Sequence, residues 1–308
     1  MPEKVIDISI VIPCYNEEKT IANKLLDIYN LDFLKDKLEI IIVDCSTDNT
    51  PNIVKAFFET HLEIKHTFFH EDERKGVAHS MNIGKTISSG EIIVRTDSDS
   101  SLKKNCLNYV LKAFEDKSVG SVTGMPFPIG SLAEENYRGI NTKIQLLETK
   151  IDSTIIGHGP FLAFRRNLQF YVKEEFLADD SAINIEIRKL GYRCILDPNI
   201  IFYEKTSTTG REEQKVRRAS GLIKLLWMNK SMMFNPKYGY YGFIVYPFNF
   251  ITTTVIPLIL SPILIPLIFL NIKGGTIIET QQFLLKGIYR LIVTKKATIH
   301  WEKDNAIR

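Results

Sequence analysis

Short apolar runs alternate with stretches of helical periodicity over the first two hundred residues. Residues 8–13, 38–43 and 64–69 read as strands, and the short apolar run 91–95 reads as a buried one. Between them, 17–28 places Ile21, Leu25 and Ile28 on one helix face. Ser46 or Asp48 can cap a helix running to 58, and 75–88 is helical up to the stop at Gly90. A helix over 102–114 follows. The alternation predicts an α/β domain with a mostly parallel central sheet wrapped by helices on both faces. From 119 the pattern is more mixed. Short strands are expected at 119–123, 161–164, 193–196 and 200–203, and helices at Leu132–Ile151, 180–190 and Arg211–Met228, with Gly191 ending the second.

The pattern changes again near the C-terminus. No charged side chain occurs from 238 to 272, and 251–270 is almost wholly apolar, which makes this run a transmembrane candidate. Pro257, Pro262 and Pro266 argue against a plain buried core helix. A straight helix of about 30 residues spans about 45 Å, against a hydrocarbon core of about 30 Å. Both one tilted span and a re-entrant, proline-broken hairpin therefore remain open. Lys224, Lys230 and Lys237 precede the run, and Lys273, Lys286, Arg290, Lys295 and Lys296 follow it. Basic flanks on both sides favour a return to the cytoplasmic side. The expected division is a globular domain over 1–218, an amphipathic interfacial helix over 219–239, a transmembrane or re-entrant segment over 240–272, and an amphipathic basic segment over 273–308.

Composition narrows the class only a little. The 308 residues are 44% hydrophobic and 24% charged, as in ordinary globular proteins, and a net charge of +3 gives no case for nucleic acid. Cys14, Cys45, Cys106 and Cys194 are scattered, so paired-cysteine zinc and dithiol motifs are absent and reduced thiols are expected. The first residues carry no charged-then-apolar leader of the signal-peptide kind.

Candidate chemistry gathers at three strand ends. Asp97-Ser-Asp99 follows the fourth strand, Asp44-Cys-Ser46 the second, and Pro13-Cys-Tyr-Asn16-Glu17-Glu18 the first. Open α/β sheets bind ligands at the carboxyl ends of their strands. Hard carboxylate oxygens suit Mg²⁺ or Mn²⁺, which commonly bind one or two carboxylates together with substrate phosphates. An isolated Asp-x-Asp is more often a turn or a cap; the convergence of three strand ends weighs against that reading.

Together these segments, in this order, resemble the family 2 glycosyltransferases of GT-A fold over roughly residues 7–230. The resemblance implies inverting transfer of a sugar from a nucleotide-diphosphate donor, with a divalent metal. It places Pro13 and Glu17 in the loop around the nucleotide and Asp44 against the base. Asp99 would bind the metal, and Asp97 would contact the ribose or sugar or share the metal. Asp179-Asp180, ahead of Arg188-Lys-Leu-Gly191-Tyr192, matches the family's acidic motif, with Asp180 as general base and Asp179 as its neighbour at the acceptor site. Gln214 and Arg217 match a Gln-x-x-Arg-Trp motif of membrane-associated members, with Arg218 where tryptophan is usual. His158 and Gly159 lie near the expected acceptor pocket. The implied acceptor is a lipid carrier or lipid-linked glycan, met from the cytoplasmic face of a membrane. The rival readings are a processive polysaccharide synthase, a degenerate transferase acting as a membrane scaffold, and a sugar nucleotidyltransferase. The last needs a glycine-rich loop after the first strand, which this chain lacks.

Overall fold

The computed structural model describes residues 6–129, 132–205, 211–272 and 275–293. One eight-stranded sheet runs through the domain in the order β3-β2-β1-β4-β7-β6-β8-β5. Its first half is built from β1 (Ile8–Cys14), β2 (Leu38–Asp44), β3 (Lys65–His70) and β4 (Ile92–Arg95), all parallel. The alternation of apolar residues explains the two-sided burial. Ile8, Ile10, Ile12, Leu38, Ile40 and Ile42 pack on one face against α1 (Ile21–Tyr29), α2 (Thr50–Thr60) and α4 (Cys106–Ala113). Val11, Ile41, Val43 and Ile93 face α3 (Val77–Ile87) and α6 (Asp179–Lys189) on the other. Gly84 lets α3 lie close on β1, since a Cβ there would stand 2.3 Å from Val11 Cγ1.

The second half departs from an all-parallel sheet. β7 (Leu162–Arg165) enters antiparallel to β4, and β6 (Val119–Ile129) is antiparallel to β7 and parallel to β8 (Arg193–Lys205). The short β5 (Ser100–Leu102) closes the far edge. The two strands expected at 193–196 and 200–203 are one. A register shift past Gly124 lets β8 continue through the Asp197-Pro198-Asn199 turn signal. α5 (Leu132–Ile151) lies beside β6 and β8.

The C-terminal elements also differ in detail from expectation. α7 (Arg211–Met228) runs unbroken across the 218/219 boundary. It ends where Asn229 turns its side-chain amide back onto Leu225 O, and 3₁₀ turns follow at Lys230–Met232 and Pro236–Tyr238. The apolar run opens as one helix, Tyr241–Ile259, with mean hydropathy 1.6. Its π-helical turns Tyr241–Val245 and Ile251–Val255 each lie just ahead of a proline, Pro247 and Pro257. A wide turn makes room for the ring that would clash with the preceding turn, so the helix continues through both prolines. Pro262 occupies the first turn of the next helix, Ser261–Phe269, where no hydrogen bond is lost. A terminal helix, Thr276–Val293, packs on α7. Lys273, Lys295 and Lys296, used above for orientation, lie outside the described residues.

Tyr241–Ile259 is laid against the globular domain. Tyr241, Val245, Tyr246 and Phe250 join the same core as α6. The Tyr246 hydroxyl donates to Leu226 O at 2.7 Å, and the Asn249 amide donates to the buried Glu148 carboxylate. The opposite face exposes Phe243, Ile244, Phe248, Ile251, Leu258 and Ile259.

Candidate active site

The chain crosses to the other side of β1 between β3 and β4, so the carboxyl ends of β1 and β4 flank the topological switch point. β4 ends there at Arg95. Thr96 anchors the turn that follows, through N–H to Val11 O (3.1 Å) and hydroxyl to Pro160 O (2.8 Å). Ser100 Oγ closes the turn onto Asp97 O at 2.9 Å. Beneath it lies Lys24, fully enclosed, whose Nζ donates to Ser100 O (2.9 Å) and Ser100 Oγ (3.2 Å). Burial pushes this lysine down to about 8 against the pull of Asp27, Asp97 and Asp99. Between that value and the ordinary 10.5, the unfolded chain holds a proton that the folded chain has released. Stability therefore rises with pH in this window, by about 3 kcal/mol from this group. Lys24→Met is expected to remove that rise. Denaturation midpoints at pH 7.5 and 10 test it, and a wild-type slope in the variant would count against the buried lysine.

Asp97 is half-buried and Asp99 is open to solvent on the turn. Crowding by the surrounding protein, then the charges of Asp97 and Glu204, push the Asp99 carboxyl up to about 6. Clustered acids of this kind are relieved by a cation. An all-oxygen donor set of this kind is chemically compatible with Mg²⁺ or Mn²⁺. No larger group of His, Cys, Asp and Glu able to hold a metal occurs among the described residues. The remaining positions would fall to substrate phosphate and water.

The second pair of acids comes from the first turn of α6, and Arg95 joins the two sets. Its guanidinium is buried, ion-paired with Asp179 and 3.6 Å from Asp97 Oδ1. Burial alone would lower Arg95; Asp179, Asp97 and Asp180 outweigh it and raise it. Asp179 is pushed up to about 6, by burial first, with Arg95 opposing and the neighbouring acids adding. Gly159 completes the contact. Its N–H donates to Asp180 Oδ2 at 3.0 Å, and a Cβ there would stand 2.9 Å from Arg95 Nη2 and 3.0 Å from Asp97 Oδ2. Asp180 Oδ1 accepts the Ser181 N–H at 2.6 Å. Asp97, Asp179, Asp180 and Gly159 are thus brought into one cluster, with Asp99 two residues along the turn.

The first two strand ends form the adjoining wall. Pro13 lies past the β4 ladder, which stops at Val11–Arg95, so its missing N–H is tolerated in a central strand. Asn16 takes a left-handed φ of 54° and clamps the two loops. Its N–H donates to Ser46 Oγ (2.7 Å), and its Oδ1 accepts Thr47 N–H (2.8 Å). Glu17 is buried, with its N–H on Thr50 Oγ1 and its carboxylate on Thr20 Oγ1. Asp44, expected to meet the base directly, is 0% exposed and hydrogen-bonded to Ser46 and His70.

Gln214 and Arg217 are half-buried on α7. Burial, then Arg218, lowers the Arg217 guanidinium, with Asp179, Arg290 and Arg74 also in its field. Arg218, Arg290 and Arg74 thus add positive charge in the field of Arg217, with Asp179 of the acid cluster opposing them. His158 is enclosed. It is 8% exposed, its Nε2 faces Gln145 Oε1 at 3.1 Å, and burial, then Arg138 and Arg218, pushes it down to about 3. A neutral, enclosed ring of this kind fits a structural loop histidine.

Three residues at the site were not singled out from the motifs: Arg95, Lys24 and His70. The first two carried a signal. Arg95 is a charge closing an apolar strand, and Lys24 falls on the buried stripe between Ile21 and Leu25.

Comparisons with known proteins agree with this geometry. The description Glycosyl transferase family 2 matches residues 9–171. The chain is 28% identical over 275 residues to the "Probable glycosyltransferase YdaM" of Bacillus subtilis, covering 81% of this chain and 65% of that protein. It is 27% identical over 232 residues to the poly-beta-1,6-N-acetyl-D-glucosamine synthase of Staphylococcus aureus, covering 70% of this chain and 54% of the synthase. The chain thus spans between half and two thirds of these relatives' lengths. Among solved structures, the mannosyltransferase PcManGT from Pyrobaculum calidifontis, in complex with GDP-Man and Mn²⁺, superposes with a TM-score of 0.76 at 26% identity, covering 96% of this chain and 90% of that one. S. aureus TarS 1-349 in complex with UDP-GlcNAc shares the fold, with a TM-score of 0.56 at 15% identity and 92% of each chain covered. With its motifs at the carboxyl edge of a GT-A-type sheet and more than half its length matched by the family, the chain belongs to the family 2 glycosyltransferases.

Proposed function

We propose that the protein transfers a sugar, with inversion, from a nucleoside-diphosphate donor to an acceptor held at the cytoplasmic face of a membrane, a lipid carrier or lipid-linked glycan. The observation that carries this reading is the contiguous set Asp97–Arg95–Asp179 with Gly159 and Asp180 at the switch point. Asp180 Oδ2, oriented by the Gly159 N–H, takes the proton of the acceptor hydroxyl as it attacks the anomeric carbon. Arg95 holds Asp179 and Asp97 in place, and Arg217 adds positive charge toward the donor diphosphate. A Mg²⁺ or Mn²⁺ ion on Asp97 and Asp99 would stabilise the charge gained by the leaving diphosphate. The PcManGT complex with GDP-Man and Mn²⁺ supports that choice of ion.

The membrane part of the reading rests on exposed apolar surface. The outer face of Tyr241–Ile259 continues into Ile263, Ile265, Phe269 and Leu270, and Trp227 and Phe234 are exposed just before it. Such a face is stable against lipid and costly against water. The helix's buried face is fastened to the catalytic domain, which would hold the cleft close to the bilayer and to a lipid-borne acceptor.

The test is release of free nucleoside diphosphate from a panel of nucleotide sugars, with Mn²⁺ or Mg²⁺ and membrane lipid extract. One donor is expected to be consumed and the lipid product to gain one sugar mass or more. Asp99→Ala is expected to lose the metal-dependent share of donor affinity. Absence of diphosphate release from every donor, with either metal, overturns the reading.

A further inference from the structure

The carboxyl ends of four strands line up in the order β3, β2, β1, β4. With the donor diphosphate at Asp97 and Asp99 after β4, the nucleoside has one direction to run. Toward β7 the way is filled by Arg95, Gly159 and Asp180. Toward β3 lie the ends of β1 and β2, and strands about 4.8 Å apart place β3 about 14 Å from β4, the reach of an extended nucleoside diphosphate. The base therefore arrives at the ends of β2 and β3.

Asp44 and His70 are register partners there. The Asp44 carboxylate has no surface left for a ligand: Oδ1 accepts Ser46 Oγ–H at 2.6 Å, and Oδ2 accepts Ser46 N–H at 3.2 Å and lies 2.7 Å from His70 Nδ1. The His70 side chain is 42% exposed. An oxygen that is already an acceptor at Nδ1 sets the proton on Nδ1, so the neutral ring carries its lone pair on Nε2. Arg74, stacked on Tyr15 at 3.9 Å, adds a flat wall to the same corner.

We infer that His70, held by the buried Asp44, reads the donor's nucleobase and selects bases that present a ring N–H. Uracil at N3 and guanine at N1 do so; cytosine and adenine present a bare ring nitrogen, which meets the Nε2 lone pair as acceptor against acceptor. This rests on the donor-binding reading above. Asp44 is a positioning residue that fixes the tautomer and the ring plane.

The test is calorimetric affinity of the full chain, with Mn²⁺, for the 5′-diphosphates of uridine, guanosine, cytidine and adenosine. Wild type is expected to prefer uridine or guanosine diphosphate by about tenfold or more, the effect of one discriminating hydrogen bond. His70→Ala and Asp44→Asn are expected to bring that ratio within about threefold. Methylating the ring N–H of the preferred ligand should weaken wild-type binding, a measurement that needs no variant to fold, and should add no loss in His70→Ala. An unchanged base ratio in His70→Ala with binding intact, a wild-type preference for cytidine or adenosine diphosphate, or indifference to methylation overturns the assignment of His70 alone. Failure of all four diphosphates to bind wild type overturns it together with the donor-binding reading.

Discussion

Asp180→Asn is expected to bind donor as wild type does and to lose transfer by about 10²–10⁴-fold, the usual contribution of a positioned general base. The substitution is nearly isosteric. An asparagine oxygen can keep the Gly159 N–H now given to Oδ2, while its amide nitrogen then faces the Ser181 N–H that Oδ1 accepts, so side-chain volume is kept at the loss of one local hydrogen bond. What disappears is the ability to take a proton from the acceptor hydroxyl. Donor affinity measured beside single-turnover transfer separates the two effects. Transfer at the wild-type rate would remove Asp180 from the chemistry.

Arg95→Met is expected to be the most damaging single change outside the acids themselves. The guanidinium is buried between Asp179 and Asp97, and removing it leaves carboxylates facing one another without a counter-charge. Breaking a buried pair in this way costs about 3–5 kcal/mol, on the order of 10 °C in Tm for a domain this size. The sign of the pH dependence is also fixed. Asp179 already sits up at about 6, and loss of Arg95 raises it further. The folded variant then binds a proton that the unfolded chain gives up above the ordinary carboxylate range near 4. Its stability falls as pH rises from there through the raised value, and acidification toward pH 5.5 restores part of the loss. Thermal unfolding at pH 5.5 and 7.5 checks both statements. A Tm within about 2 °C of wild type at pH 7.5 would mean that the bridge carries little energy.

Much of the parallel half of the sheet was legible because β1, β2 and β4 are buried on both faces and read as nearly unbroken apolar runs, whereas the edge strand β3 is largely exposed. The antiparallel half was harder to read. β8 passes through Asp197-Pro198-Asn199, residues that ordinarily mark a turn, because a register shift absorbs them. β6 carries Pro126 and Pro128 beyond Thr123, where only β8 remains paired with it, so the missing N–H groups break no second ladder. The acidic motifs were legible because carboxylates at strand ends and in a first helical turn stand out from an apolar background. Their connections were not, since the partners lie far apart in sequence. Arg95 reaches Asp179 across 84 positions, and Asp44 meets His70 across 26. His158 admitted two readings from sequence, an acceptor contact or a structural loop residue. A histidine between two glycines looks like a ligand-facing loop, but Phe202 and Gln145 close over it.

The close seating of the terminal helix on α7 bears on how this enzyme can be handled. A Cβ on Gly287 would stand 3.0 Å from Ser220 N, Lys286 pairs with Glu212, and Arg290 comes within 3.9 Å of Glu213 and into the field of Arg217. The segment beyond the greasy stretch thus reaches back to brace the helix that bears the cleft arginines. Trimming the gene ahead of Tyr241 would strip that brace and lay bare the surface that Tyr246 and Phe250 cover. The globular domain and the Tyr241–Ile259 helix share one packed core, and purification is expected to need both.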